Sequence, residues 1–161
     1  LSAERYCSVY SQLYQLHCAS IRPFSIYGPK QKNLLVYDLI KKLNNNPHKL
    51  TMLGTGTESR DFIFIKDAVR SIVKILENGP LQGEVYNVAT GTTHTTYQVA
   101  RLIAKSLNVD PEFTYTETVR SGEPLNWSAD VKKLKNVDFA PEYTLEEGIN
   151  RTIEWYLEEF S

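Results

Sequence analysis

Two arginines, Arg60 and Arg120, are the residues in this 161-residue chain best suited to binding chemistry. A guanidinium is a planar fork of donors that matches two phosphate oxygens at once. Arg60 adjoins Asp61 a few residues after Gly54-Thr55-Gly56, and Arg120 precedes Ser121-Gly122. The small neighbours Ser59 and Ser121-Gly122 leave room for a bulky anion. Neither arginine has an acid four positions away that would make it half of a helical surface pair. Successive side chains on an extended segment point to opposite faces. Arg60 is therefore expected to face a ligand while Asp61 turns into the fold. The competing explanations are a surface ion pair with Asp61 and, for Arg120, an ordinary loop cation.

Other polar and aromatic residues have simpler readings. Gly54 and Gly56 fit either a plain turn or a close approach of ligand to backbone. Trp127 fits either local packing or stacking on a base or sugar. Asn87, at the end of an apolar strand, is expected to bond loop backbone. Asp67 and Asp130 are expected to cap helices. Cys7 and Cys18 have no metal-ligand spacing and read as buried small hydrophobes. His17, His48 and His94 are scattered and form no ligand pair. No glycine-rich phosphate loop opens a helix, and no Ser-His-Asp set can be placed. The chain is thus expected to hold no catalytic residue and no metal site.

A formal net charge of -1 gives no broad positive field, so any anion site rests on a few placed cations. The same balance argues against nucleic acid as a partner. No apolar run is long enough to span a bilayer and no charged-then-apolar leader is present, so a cytoplasmic protein is expected.

These residues must be positioned by alternating strands and helices. A helix is expected over Leu1 to Leu16, with Tyr6, Val9, Tyr10, Leu13 and Leu16 on one stripe. Nothing ahead of Leu1 caps it, so it is expected to continue upstream. Cys18 to Ile21 reads as a strand, and Tyr27-Gly28-Pro29 as a loop. Leu34 to Leu43 reads as a helix, Leu50 to Leu53 and Phe62 to Ile65 as strands. A helix capped by Asp67 would bury Ala68, Ile72, Ile75 and Leu76. Val85 to Ala89 reads as a strand, followed by a helix capped at Thr96 and a short strand over Phe113 to Thr116. Asp130 starts a short helix. Thr144 and Glu147 form a capping box for the last one. The fold class is α/β. The strands Cys18 to Ile21 and Val85 to Ala89 are apolar enough to be parallel and buried on both faces. Two strands alone make a poor sheet, which points to missing neighbours.

Several motifs, in order, resemble the extended short-chain dehydrogenase/reductases that act on nucleotide sugars, the NAD-dependent epimerase/dehydratase group. Leu1-Ser2-Ala3-Glu4-Arg5-Tyr6 resembles the helix after the family's Tyr-x-x-x-Lys pair. Arg22-Pro23-Phe24-Ser25-Ile26-Tyr27-Gly28-Pro29 resembles Arg-x-Phe-Asn-Val-Tyr-Gly-Pro. The run from Gly54 to Phe62 resembles Gly-Asp-Gly-x-Gln-x-Arg-Asp-Phe, and Lys66-Asp67 stands where that family has Asp-Asp. Gly83 to Val88, then Gly91, resembles the last sheet strand and its turn. Arg120-Ser121-Gly122-Glu123 resembles Arg-x-Gly-Asp. Asp130 to Lys133, Pro141 and Leu145 to Ile149 resemble the tail. Each motif alone is weak, but their order is strong.

The resemblance implies that residues 1–161 are the C-terminal, substrate-binding part of such an enzyme. Two strands, about 17–23 and 84–89, would belong to its Rossmann sheet, and the N-terminal dinucleotide-binding half would be absent. It implies NAD or NADP as cofactor, with the Tyr-Lys pair ending just before Leu1, so this chain alone would be inactive. It implies that Phe24 packs against the nicotinamide. Ser25 would contact substrate in place of the common Asn, and Asn33 would lie near the diphosphate at a helix start. Met52 and Leu53 would lie beside the base. Arg60 and Arg120 would clamp the diphosphate. It also implies a homodimer through the first helix. Departures at Ser25, Thr55, Glu58, Glu123 and Trp127 leave base and sugar open. A non-catalytic nucleotide-binding or sensing protein on the same scaffold is the alternative, and a self-contained α/β interaction domain is a third.

Overall fold

The computed structural model describes residues 2–118, 122 and 124–160. In chain order the elements are α1 (Ser2–Tyr14), β1 (Cys18–Pro23), β2 (Ser25–Tyr27), α2 (Leu34–Asn45), β3 (Lys49–Met52), β4 (Ser59–Phe64) and α3 (Ile65–Asn78). They continue with β5 (Gln82–Val88), β6 (Thr93–Thr95), α4 (Thr96–Ser106), β7 (Glu112–Tyr115), β8 (Asn126–Trp127), α5 (Lys132–Lys135) and α6 (Leu145–Phe160). The fold is α/β and most of its strand pairs are parallel. β1 runs parallel to β5, with Ile21 opposite Tyr86 and Pro23 opposite Val88. β2 and β8 run parallel to β4 and β6 antiparallel to it. β3 pairs in parallel with β7.

β4 divides the interior. Phe62 and Phe64 enter one core with Leu39, Ile40, Val99, Ile103 and Ile149, which come from α2, α4 and α6. Ile63 enters a second core with Ile75, Tyr86, Val88, Leu134 and Phe139. The alternation follows from the period-two pleat of a strand. α6 begins as its residues dictate: Thr144 Oγ accepts from the Glu147 amide, and the Glu147 carboxylate accepts from the Thr144 amide.

Several expectations need correction. Tyr27 is not in a loop but in β2, buried against Phe62 and Phe64. Pairing to β4 overrides the Gly-Pro signal that follows. Thr95, not Thr96, caps α4, in a box with Gln98. Ile65 is the first residue of α3 rather than the end of a strand, and Asp67 lies inside that helix's first turn. The fully buried Asp67 carboxylate accepts from the Glu142 and Tyr143 amides and pairs with Arg70. It therefore fastens the segment before α6 to α3. Leu76 faces outward at 62% exposure, because the buried stripe of α3 is Asp67, Ala68, Ser71 and Ile75. The apolar stripe of α1 is also outside: Tyr6, Val9, Tyr10 and Leu13 are all exposed. α1 meets β1 and β5 through its other side instead. A Cβ on Gly83 would lie 2.5 Å from the Ser8 Cα, so helix and sheet backbones touch there. Cys7 and Cys18 are half-buried and face one another rather than sinking into a core.

Candidate functional site

One cavity of about 740 Å³ opens where β1, β2, β4 and α2 converge. Phe24 enters it directly after β1, and its amide donates to the Val88 carbonyl at the end of β5. The cavity therefore lies at the carboxyl ends of a parallel strand pair, where open α/β sheets place their ligands. Ser25 and Tyr27 line it from β2, Arg60 and Phe62 from β4, Leu34 and Leu35 from α2. Leu53, 65% exposed, and Gly54 line the side beyond β3.

Arg60 reaches the cavity because it shares the face of Phe62, two residues on. Asp61 takes the opposite face and is fully buried. Its carboxylate accepts from the Thr90 amide at 2.8 Å, the Thr90 hydroxyl at 2.7 Å and the Gly91 amide at 2.7 Å. Asp61 thus organises the turn after β5, and the Arg60–Asp61 surface pair is not formed. The Arg60 guanidinium carbon lies 5.7 Å from the centre of the Trp127 ring. Trp127 in turn meets Phe24 edge to face at 6.0 Å. β8 holds Trp127 in place: the Ser59 amide donates to the Leu125 carbonyl and the Ser59 hydroxyl to Asn126 Oδ1. Part of the lining is therefore a cation against the Trp127 ring, which Phe24 backs. Leu34, Leu35 and Leu53 make another part aliphatic.

Of the residues singled out in the sequence, Phe24, Ser25, Leu53 and Arg60 line this one cavity. Met52 does not. Its side chain is buried in the first core, because it alternates with exposed Leu53, and its carbonyl accepts from the Thr116 amide. Asn33 is exposed at the N-cap of α2, makes no capping bond, and is not among the cavity residues, although the next residue is. Arg120 lies outside the described residues. Asn87 donates to the Asp130 carbonyl, the backbone role expected for it.

Glu58 was not foreseen as a cavity residue. Its carboxylate accepts from the Thr55 and Gly56 amides at 2.8 and 3.0 Å. Burial raises its pKa, but those donors outweigh burial and hold it below the ordinary value. Gly54 and Gly56 both have positive φ, and a Cβ on Gly54 would lie 2.4 Å from the Glu58 carboxylate. The two glycines thus make a turn folded around an internal anion. An acid two residues after Gly-Thr-Gly was the available signal. Gln31 and Asp38 add further polar groups to the lining. Among the described residues, no cluster of three or more His, Cys, Asp or Glu side chains could hold a metal ion. Likewise none of their helices is long and apolar enough to cross a membrane.

The model of the NAD dependent epimerase/dehydratase family matches residues 1–89. Among curated proteins, the chain is 29% identical over 154 residues to an uncharacterized UDP-glucose epimerase of Bacillus subtilis, covering 95% of this chain and 48% of that protein. Among solved structures, it resembles UDP-glucose 4-epimerase of Thermotoga maritima with UDP-glucose, with TM-score 0.89 and 26% identity. That match covers 99% of this chain and 52% of that one. UDP-glucuronic acid 4-epimerase of Bacillus cereus, in complex with UDP-glucuronic acid and NAD, matches with TM-score 0.86 and 26% identity. The coverage is 99% of this chain and 51% of that one. The chain spans about half the length of the relatives it matches.

Proposed function

Because the chain belongs to the NAD dependent epimerase/dehydratase family, we propose that it is the part of such an enzyme that grips a nucleoside-diphosphate sugar. On this reading it corresponds to the C-terminal, substrate-binding half. β1 and β5 are then two strands of a Rossmann sheet completed by a dinucleotide-binding half. The observation that carries the reading is that Arg60 lines the cavity against Trp127, which in turn meets Phe24. A guanidinium there offers a diphosphate its fork of donors, and the flanking apolar walls suit a base and a sugar. Arg120 is proposed as the second arm of the clamp. The matched structures, one with UDP-glucose and another with UDP-glucuronic acid and NAD, support this substrate class.

Bound by the whole enzyme, NAD or NADP would supply the hydride acceptor and donor for a sugar carbon. The described residues suit one edge of that cofactor only: Phe24 gives a flat apolar surface at the carboxyl ends of β1 and β5. The chain's own contribution is to bind and orient the substrate. Binding energy from the nucleoside diphosphate positions a sugar held elsewhere in the cleft. The purified chain alone is expected to turn over no UDP-, GDP- or dTDP-sugar.

The test is calorimetry on the full-length protein with nucleoside diphosphates as ligands. A charge-assisted contact contributes roughly 1.5–3 kcal/mol. Arg60→Ala and Arg120→Ala should each weaken binding by roughly tenfold to a hundredfold with the fold intact. Parental affinity in both variants would remove the clamp.

A further inference from the structure

Cys7, midway along α1, and Cys18, the first residue of β1, are both free thiols and both half-buried. Their sulfurs are 3.1 Å apart, and Cys18 Sγ lies 3.3 Å from the Cys7 carbonyl oxygen. A disulfide needs about 2.05 Å between sulfurs, so side-chain rotation of roughly 1 Å closes the gap. The surroundings hold the pair at this distance. Gly83 in β5 lets the α1 backbone seat directly on the sheet at Ser8, next to Cys7. One turn on, the Ser11 hydroxyl donates to the Leu16 carbonyl and fixes the link from α1 to β1. The Cys18 amide donates to the Leu81 carbonyl, which anchors the start of β1. No metal cluster among the described residues claims the two thiols.

We propose that Cys7 and Cys18 form a redox clamp: exchange with a small-molecule disulfide joins them by an intrachain bond that locks α1 onto β1. One thiolate attacks the external disulfide, releasing one thiol and leaving a mixed disulfide on the protein. The second cysteine attacks that bond and releases the second thiol. Two protein thiols and one external disulfide thus become one protein disulfide and two external thiols. The Cys7 thiol beside it and its burial raise the Cys18 pKa, which slows attack by Cys18. That suits a response to a sustained oxidising shift rather than a dithiol that cycles in each turnover.

The probe is oxidised glutathione, added to the full-length protein and followed by alkylation and trypsin digestion. Because trypsin does not cut before Pro23, one peptide from Tyr6 to Lys30 carries both cysteines. The expected product is that peptide unalkylated and lighter by about 2 Da, the two hydrogens lost. The oxidised protein should melt about 3–10 °C higher, reversed by dithiothreitol. Cys7→Ser and Cys18→Ser should each give only a glutathione adduct on the remaining cysteine. Wild-type peptide that is fully alkylated, or carries only glutathione adducts, overturns the proposal. So does an intrachain bond that leaves melting unchanged or lowers it.

Discussion

Arg60 and Asp61 are sequence neighbours that leave β4 on opposite faces, one lining the cavity and the other buried under the turn after β5. The cation is held at the cavity by what its neighbour does on the far side. Asp61 accepts three hydrogen bonds from Thr90 and Gly91. Asp61→Ala would leave these donors facing a void. The expected cost is about 3 kcal/mol or more in unfolding free energy, read by denaturant titration. Asp61→Asn, which keeps an acceptor, should cost less.

Glu58 makes the turn at Gly54 to Thr57 depend on pH. Its folded pKa lies below the ordinary value near 4.5, so it binds fewer protons when folded. Its contribution is present above that ordinary value and is lost as pH falls through the lower folded one. Glu58→Gln turns an amide group toward donors that need an acceptor. It should lower stability by roughly 1–2 kcal/mol at neutral pH. The difference should shrink below pH 4.5 in melting curves recorded across that range.

Gly148 is required by packing. A Cβ there would lie 2.1 Å from the Tyr27 hydroxyl oxygen and 3.0 Å from the Phe64 ring. That hydroxyl donates to the Leu145 carbonyl one turn earlier in α6. Gly148→Ala is expected to destabilise the fold by about 1–3 kcal/mol, because backbone and rings must both shift. Tyr27→Phe should cost less, about 1 kcal/mol, since only the hydroxyl bond goes. Thermal unfolding of the two variants side by side would measure the order.

The outward stripe of α1, with Tyr6, Tyr10 and Leu13 all exposed, is the proposed homodimer surface of the full-length protein. Sedimentation at micromolar concentration should report a dimer. Leu13→Asp places a charge in that stripe and should shift the species toward monomer, while the circular dichroism of the fold is retained.

The helices and the parallel pair β1–β5 were legible because their signals are local: apolar spacing and short apolar runs, with the Thr144–Glu147 box at α6. The cavity face of β4 follows from the period of a strand, which puts Arg60 outward and Asp61 inward. What could not be read depends on partners far along the chain. Tyr27 is in a strand because β4 lies beside it, against the pull of Gly28 and Pro29. Asp67 has the composition and place of a cap, yet its acceptors serve amides at Glu142 and Tyr143. Nothing within a few residues of Asp67 marks that. Met52 and Leu53 looked equivalent as apolar neighbours of a base, but strand alternation buries one and exposes the other.

β4 supplies Phe62 and Phe64 to one core and Ile63 to the other. It is a party wall, and neither room can be emptied while it stands. Loosening the packing on one side also loosens what holds the strand in register for the other. Two cores of this size on separate elements would be free to melt in sequence. Sharing a single strand binds them into one cooperative unit. The cavity arginine sits at the edge of that wall, so the cavity face inherits the rigidity of the whole domain rather than of one loop.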